Sequence, residues 1–365
     1  MPIDIIPPSE IQAELTRIWD SLEGTNKMRA SLFNLVFYTK KKARAEYIKT
    51  ISQKVIEKFP SRVIFITNDT EKEEDSLETG VSVLAASSGE CDIVCDYIEI
   101  GYSGGSSERV PFVILPHILP DLPIYVIWAE DPADNSPLFE PLKKLSDRFI
   151  FDSEAVSDLA AFAQHLLAFK ENSPCNIADL NWGRMESWRN LLTSTFYTKE
   201  RLARLRNTKN IQILYNAEET DFYCHTRVQA IYLQGWLCAQ LGWTFKSLKN
   251  EKEKLTFFYE RDEQEVVITL YPEWHETLKS GTIISVDLET EDQEHFSFGR
   301  DLSNPHIVSM RFSTLEKCDM PLKYVFSKDD SGGSLVKEIC HKGTSSHYIN
   351  LLNFFKDKPE FSLCE

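Results

Sequence analysis

The segment Ser31-Leu32-Phe33-Asn34-Leu35-Val36-Phe37-Tyr38 has the apolar and aromatic content and the length of a buried strand. A helical pattern follows it: between Ala43 and Phe59, the apolar residues Ile48, Ile51, Val55 and Ile56 recur near helical spacing until Pro60 stops them. Arg62-Val63-Ile64-Phe65-Ile66-Thr67 is a second strand, so the three segments predict a β-α-β unit. Such a unit commits the chain to a sheet covered by helices, because parallel strands need a long crossover between them.

The same alternation continues. Val81 to Ala86 and Asp92 to Ile100 extend the sheet, and Pro123 to Trp128 is so apolar that it predicts a central strand buried on both faces. Leu138 to Leu145 reads as a helix, Arg148 to Phe151 as a strand and Val156 to Phe169 as another helix, before turn residues at Glu171-Asn172-Ser173-Pro174 suggest a linker. Beyond it come a helix near Trp182, a strand Ile211 to Tyr215 and a long helix from about Phe222 to Leu241. Short strands are then expected at Leu255 to Tyr259, Val266 to Tyr271, Thr282 to Leu288, His306 to Phe312 and Lys323 to Phe326. At 365 residues the chain exceeds what one core serves. The expected fold is α/β with two domains: an open α/β sheet domain over 1-175, and an α+β domain over 176-365 that ends in an antiparallel meander.

A formal charge of -16 repels phosphate backbones, and no basic stripe offsets it, so nucleic acid is not an expected partner. The acidic run Glu71 to Asp75 reads as a solvated loop. The start of the chain lacks the basic and apolar regions of a secretory signal, and the apolar stretch near Arg109 to Asp121 is interrupted by prolines. A cytoplasmic protein without a membrane segment is expected, its eight cysteines mostly buried free thiols.

Few residues suggest catalysis. Gly101-Tyr102-Ser103-Gly104-Gly105 fits G-x-S-x-G, which would make Ser103 the nucleophile of a hydrolase acting on a sugar lactone or ester. The following residues are a poor helix start, with Pro111 too deep, and no oxyanion segment precedes them, so a glycine-rich turn is favoured. The same loop could cradle the anion of a sugar phosphate, yet neither G-x-G-x-x-G nor a Walker lysine is present. Cys91 and Cys95 lack a second ligand pair for zinc and read as buried thiols, while His341 and His347 have no carboxylate that can be placed beside them. No metal, cofactor or catalytic residue is expected.

Asp179-Leu180-Asn181-Trp182-Gly183-Arg184-Met185-Glu186-Ser187-Trp188-Arg189 concentrates two of the seven tryptophans and two arginines. If Asn181 caps a helix there, Met185, Trp188, Leu192 and Phe196 form an apolar stripe, and an arginine can stack over an indole. Trp182, Arg184, Trp188 and Arg189 would then either lock the two domains together or present an aromatic and cationic patch to another protein.

This stretch resembles the D-L-x-W-x-R-x-x-x-W-R signature of the OpcA family, the glucose-6-phosphate dehydrogenase assembly proteins. Arg29 followed by Asn34-Leu35-Val36, Asp121-Leu122-Pro123 with Trp128, Asp152-Ser153, and Tyr232-Leu233-Gln234-Gly235-Trp236-Leu237 are similar to the family's pattern, in order, from about residue 29 to about 243. One departure is Ile127 beside Trp128, where many relatives carry two adjacent tryptophans. The resemblance implies a non-catalytic activator that binds glucose-6-phosphate dehydrogenase and favours its active assembly, promoting the oxidative pentose phosphate pathway. An activator of that kind needs differential affinity for its partner's active state, not an acid, base or metal of its own.

Overall fold

The computed structural model describes residues 5–40, 43–86, 92–134, 136–222, 224–251, 254–326 and 333–363. They form two compact units. The first comprises Met1–Val156, His165–Leu180 and Asp330–Thr344; the second comprises Ser157–Gln164, Asn181–Asp329 and Ser345–Glu365. The turn at 171–174 therefore joins a helix to a strand within the first unit, rather than linking the two.

The strands of the first unit are β1 (Ile5–Ile6), β2 (Lys27–Arg29), β3 (Asn34–Lys40), β4 (Arg62–Asn68), β5 (Ser76–Ala86), β6 (Asp92–Ser103), β7 (Ile124–Trp128), β8 (Arg148–Phe151) and β9 (Asn176–Asp179). They make one nine-stranded sheet in the order β1-β5-β6-β4-β3-β7-β8-β9, with β2 paired to β6. From β6 to β9 every pairing is parallel. Counted along the chain those strands run 3-2-1-4-5-6, the order of the doubly wound dinucleotide-binding fold. β7 is central, as its apolar sequence predicts, whereas β5 folds back antiparallel on β6.

The helices are α1 (Ile11–Ser21), α2 (Ala43–Lys58), α3 (Val110–Ile114), α4 (Phe139–Leu145), α5 (Leu159–Glu171), α6 (Leu180–Arg184), α7 (Glu186–Thr195), α8 (Lys199–Arg206), α9 (Val228–Leu241), α10 (Gly333–Cys340) and α11 (Ser346–Phe355). Ile48, Ile51, Val55 and Ile56 of α2 pack with Phe37, Phe65 and Ile127 in one core, which Leu335 and Ile339 of α10 also enter. A segment near the end of the chain thus closes the first unit. None of the described helices is long and apolar enough to cross a membrane.

In the second unit β10 (Thr208–Asn216), β11 (Thr244–Glu251), β12 (Lys254–Arg261), β13 (Gln264–Glu273), β14 (Ile283–Thr290), β15 (His295–Arg300), β16 (Ile307–Ser313) and β17 (Leu322–Val325) form a sheet in the order β11-β12-β13-β10-β14-β15-β16-β17. β10 and β13 are parallel and the other neighbours antiparallel, so the expected meander is present from β14 to β17. One face is interior, with Ile213, Phe257, Ile268, Val286 and Phe298 fully buried. The long helix starts at Val228, later than its sequence predicts, and ends at Gly242, whose φ of 72° permits the left-handed cap. Gly235 lets α11 come close: a Cβ there would lie 2.8 Å from Phe355 Cζ.

Two stretches of the family pattern are buried polar clamps of the first unit. Asn34, at the start of β3, accepts from Leu119 N at 2.8 Å and donates to Leu119 O at 3.0 Å, holding the loop in which Asp121 takes a φ of 65°. Asp96 on β6 is 1% exposed and accepts from Trp19 Nε1 at 2.8 Å, Arg29 Nη2 at 2.6 Å and Arg62 Nε at 3.0 Å. Burial by itself would raise the Asp96 pKa, but the hydrogen bonds and charge of Arg29 and Arg62 outweigh it and hold the carboxyl below its ordinary value. Its contribution to stability is therefore complete above the unfolded carboxyl pKa of about 3.9 and is lost as pH falls through the folded value. Asp96→Asn should destabilise the chain by about 3–5 kcal/mol at pH 7, since it strands buried Arg62. In urea titrations the gap from wild type should narrow as pH is lowered toward about 3.

Candidate functional site

In a sheet of this order the ligand crevice lies at the strand C-terminal ends, where the order reverses, here between β3 and β7. At this edge the chain's own side chains engage one another. Tyr38 and Trp128, near the two strand ends, stack with ring centroids 4.0 Å apart and an interplanar angle of 19°. Both are almost fully buried. Beyond β7, Glu130 Oε1 accepts from the backbone N of Lys40 at 2.7 Å and from Thr39 Oγ1 at 2.9 Å. A carboxylate thus takes the donors that open the β3–α2 turn. The Lys40 ammonium pairs with Asp134 and lies 3.8 Å from Glu130. Burial would lower its pKa, but these carboxylates raise it above the ordinary value.

A second cluster lies at the ends of β8 and β9. Arg44, in the first turn of α2, donates from Nη1 to Glu154 Oε1 and from Nη2 to Asp152 Oδ2, both at 2.6 Å. All three side chains are interior. Asp179, the last residue of β9, accepts from Ser153 N at 3.0 Å and Ser153 Oγ at 3.1 Å. Asp152-Ser153 and Asp179, distant in sequence and both parts of the family pattern, are therefore assembled into one buried network. Sequence inspection missed Arg44, Glu130 and Glu154, which follow no catalytic spacing. The available signal was their position just past the apolar strands and at the first turn of the first helix.

These residues do not fit a dinucleotide. The sequence Thr39-Lys40-Lys41-Lys42-Ala43 between β3 and α2 has no glycine to let a pyrophosphate approach. Its leading backbone N–H is already taken by Glu130, and the rings of Tyr38 and Trp128 stack side by side on one face of the paired strands.

Ser103 is not an exposed nucleophile. It is the last residue of β6, fully buried, and its hydroxyl donates to the carbonyl of Glu74 and bonds Ser76 Oγ at 2.7 Å. The glycine loop does hold an anion, but the anion is internal: Gly105 N donates to Asp75 Oδ1 at 2.7 Å, and Gly104, at φ 58°, sits against the same carboxylate. Asp75 closes the acidic run read as a solvated loop, and this contact pins its end. Cys91 lies outside the described residues. Cys95 is a buried thiol whose pKa burial pushes up to about 11, which keeps it protonated. Among the described residues no group of three or more His, Cys, Asp and Glu could hold a metal ion.

The tryptophan and arginine motif belongs to two short helices, α6 and α7, that meet at Met185. Asn181 lies inside α6 instead of capping it, because α6 begins directly at the end of β9; its Oδ1 accepts from Arg184 Nη1 at 2.8 Å. Trp182 is 4% exposed and Trp188 2%, so both indoles are interior and, of the two readings, the aromatic patch has no exposed ring in the chain by itself. The stripe of Met185, Trp188, Leu192 and Phe196 is buried throughout. Arg189 places its guanidinium 3.5 Å from the Trp182 ring centroid and donates to the Trp182 carbonyl, while Arg300 lies 5.7 Å from the Trp188 ring. Arg184 and Arg189 are partly buried. The motif is a cation–π brace whose rings face inward.

Residues 52–168 match the family model described as the glucose-6-phosphate dehydrogenase subunit N-terminal domain, and residues 175–319 match that of the C-terminal domain. A protein of Synechocystis sp. (strain PCC 6803) that carries the name OxPP cycle protein OpcA is 33% identical over 156 residues, which are 42% of this chain and 30% of that protein. Its namesake in Nostoc punctiforme is 27% identical over 208 residues, 55% of this chain and 42% of that protein. The matches thus span less than half the length of these relatives. Biliverdin reductase from Synechocystis sp. PCC 6803, solved with biliverdin and NADP+, superposes with a TM-score of 0.51 at 7% identity over 92% of this chain and 99% of that one. At that identity the likeness is one of fold alone.

Arg44→Ala should destabilise the chain by about 3–5 kcal/mol, because it leaves the carboxylates of Asp152 and Glu154 buried without their guanidinium. Arg44→Lys should recover part of that loss. Urea unfolding midpoints of the two variants measure both effects.

Proposed function

The chain belongs to the OpcA family, and from that premise we propose that it is a non-catalytic assembly factor and allosteric activator of glucose-6-phosphate dehydrogenase, acting in the cytoplasm to promote the oxidative pentose phosphate pathway. The observation that supports the non-catalytic reading is the engagement of the sheet's C-terminal edge: Glu130 already holds the Lys40 N–H, the first donor a dinucleotide phosphate would use in a fold of this order, and Arg44 is committed to Asp152 and Glu154. With that edge committed to structure, the chain acts through its outer surface.

The work of such an activator is differential binding: it stabilises the active assembly by the ratio of its affinities for active and inactive forms, and about 1.4 kcal/mol of difference shifts the equilibrium tenfold. Trp182, Arg184, Trp188 and Arg189 enter this reading as residues that hold the local shape of the second unit. Arg184 and Arg189 are the members with exposed surface to offer a partner.

Two measurements test the proposal. Mixed with glucose-6-phosphate dehydrogenase of the same organism, the chain should co-elute with it and raise its rate several-fold at sub-saturating substrate; separate elution with an unchanged rate would sink the reading. In the second, millimolar NADP+ should leave the melting temperature of the chain alone unshifted. A binder with a dissociation constant a hundredfold below the ligand concentration would gain about 2.7 kcal/mol, a rise of a few degrees, and that result would restore the enzyme reading.

A further inference from the structure

The two faces of the sheet β10 to β17 differ in character. The inward residues Ile211, Ile213, Phe257, Ile268, Val286 and Phe298 are fully buried. The alternate residues point the other way, and the register aligns them into rows across the strands. The central row runs Thr256, Thr269, Gln212, Asp287, Ser297, Arg311, each opposite the next in the pairing. Only Thr269 among them is buried; the rest keep solvent exposure, as side chains on an uncovered sheet face do. The row is dominated by short hydrogen-bonding side chains, which leave the surface flat and let another surface approach the backbone closely.

Three features say what covers it. The first is size. Eight strands spaced about 4.8 Å apart, with rows extending about 20 Å along them, present about 700 Å², close to the roughly 800 Å² per partner of a standard stable interface. The second is charge. On this face Lys249, Lys254, Arg311 and Lys323, with Lys246 and Lys209 ion-paired to Glu260 and Glu289, balance Glu251, Glu260, Glu265, Glu273, Asp287 and Glu289, in a chain whose formal charge is -16. Two copies of so acidic a chain repel each other over their whole surfaces, whereas a partner that is not itself strongly acidic meets a locally neutral face without that penalty. The third is location: β10 to β16 lie within residues 175–319, the part matched by the family's C-terminal domain model, so the face belongs to what the family shares.

The two edges of the sheet are also unequal. β11 is lined by Lys246, Lys249 and Glu251 in ion pairs, a charged edge that resists strand addition. At the other end Leu322 and Val325 of β17 are 53% and 70% exposed, and Leu315 and Met320 of the preceding turn 78% and 85%. Val325 lies opposite Ile307 and faces outward with the polar rows, so the open face ends in apolar surface that a partner can desolvate as an anchor.

We infer that the open face of the second sheet, with its apolar β17 end, is the surface on which glucose-6-phosphate dehydrogenase docks. This rests on the functional reading above and adds to it the place of contact. The dehydrogenase is expected to contribute a flat, largely uncharged surface that hydrogen-bonds the serine, threonine and glutamine rows, with an apolar pocket for the β17 end.

Binding of the full chain to purified dehydrogenase of the same organism, read by biolayer interferometry and size exclusion with light scattering, tests the assignment. Ser297→Arg and Thr256→Arg each place a long cation on the face at a partly buried position. Both should keep the wild-type melting temperature and weaken binding at least about tenfold. Glu57→Arg, on the exposed side of α2, should bind as wild type does. If wild type binds and both face variants bind equally well, the assignment is overturned while the functional reading stands. If wild type alone runs as a dimer that the face variants dissolve, the occupant is a second copy and the assignment is again overturned. If wild type does not bind the dehydrogenase at all, the functional reading fails and takes this one with it.

Discussion

A parallel sheet gathers its strand C-termini and the first turns of its helices along one edge, where backbone N–H groups without partners attract anions. This chain answers that constraint from within. Glu130 takes the N–H of Lys40, Asp75 that of Gly105, Asp179 that of Ser153, and Arg44 neutralises Asp152 and Glu154 at the same edge. Buried carboxylates are tolerable only when paired and hydrogen-bonded, so the network is a requirement of the fold. It explains how a chain can keep dinucleotide-binding topology with none of the glycines that usually accompany it.

The topology was legible where burial imposes a simple pattern. β3, α2, β4 and β7 are apolar at the periods a covered sheet demands, and the alternation in β14 marks a strand with one face in solvent. β11 went unread because an edge strand rich in Lys, Ser and Asn has no buried face to show. β15 was readable, its Phe296 and Phe298 alternating with His and Ser, but it is short and closes on Gly299-Arg300. Nothing local shows that α10 closes the first unit, since that depends on tertiary contacts with α2.

The candidate site was less legible, because polar residues do not announce their partners. Arg44 and Glu154 are more than a hundred residues apart and meet only through the strand order. The family resemblance nevertheless pointed to such places. Asn34, Asp152, Ser153 and Asp179 are buried polar residues that hold loops, and Trp182 and Trp188 are interior rings braced by arginine. Ile127, the departure from the family pattern, is in the core at 1% exposure.

The position of β10 also bears on how the second unit assembles. It precedes all the other strands of its sheet, yet it lies between β13 and β14, which come some fifty to eighty residues later. Hairpin zipping can build β11 to β13 and β14 to β17 as separate ribbons on a microsecond timescale. Neither ribbon can complete the sheet until it closes a long loop onto the waiting strand, the kind of non-local step that slows folding. β10 is then the seam where two locally formed halves are joined, and a polypeptide released from the ribosome before β14 has emerged would carry this strand with one side unsealed.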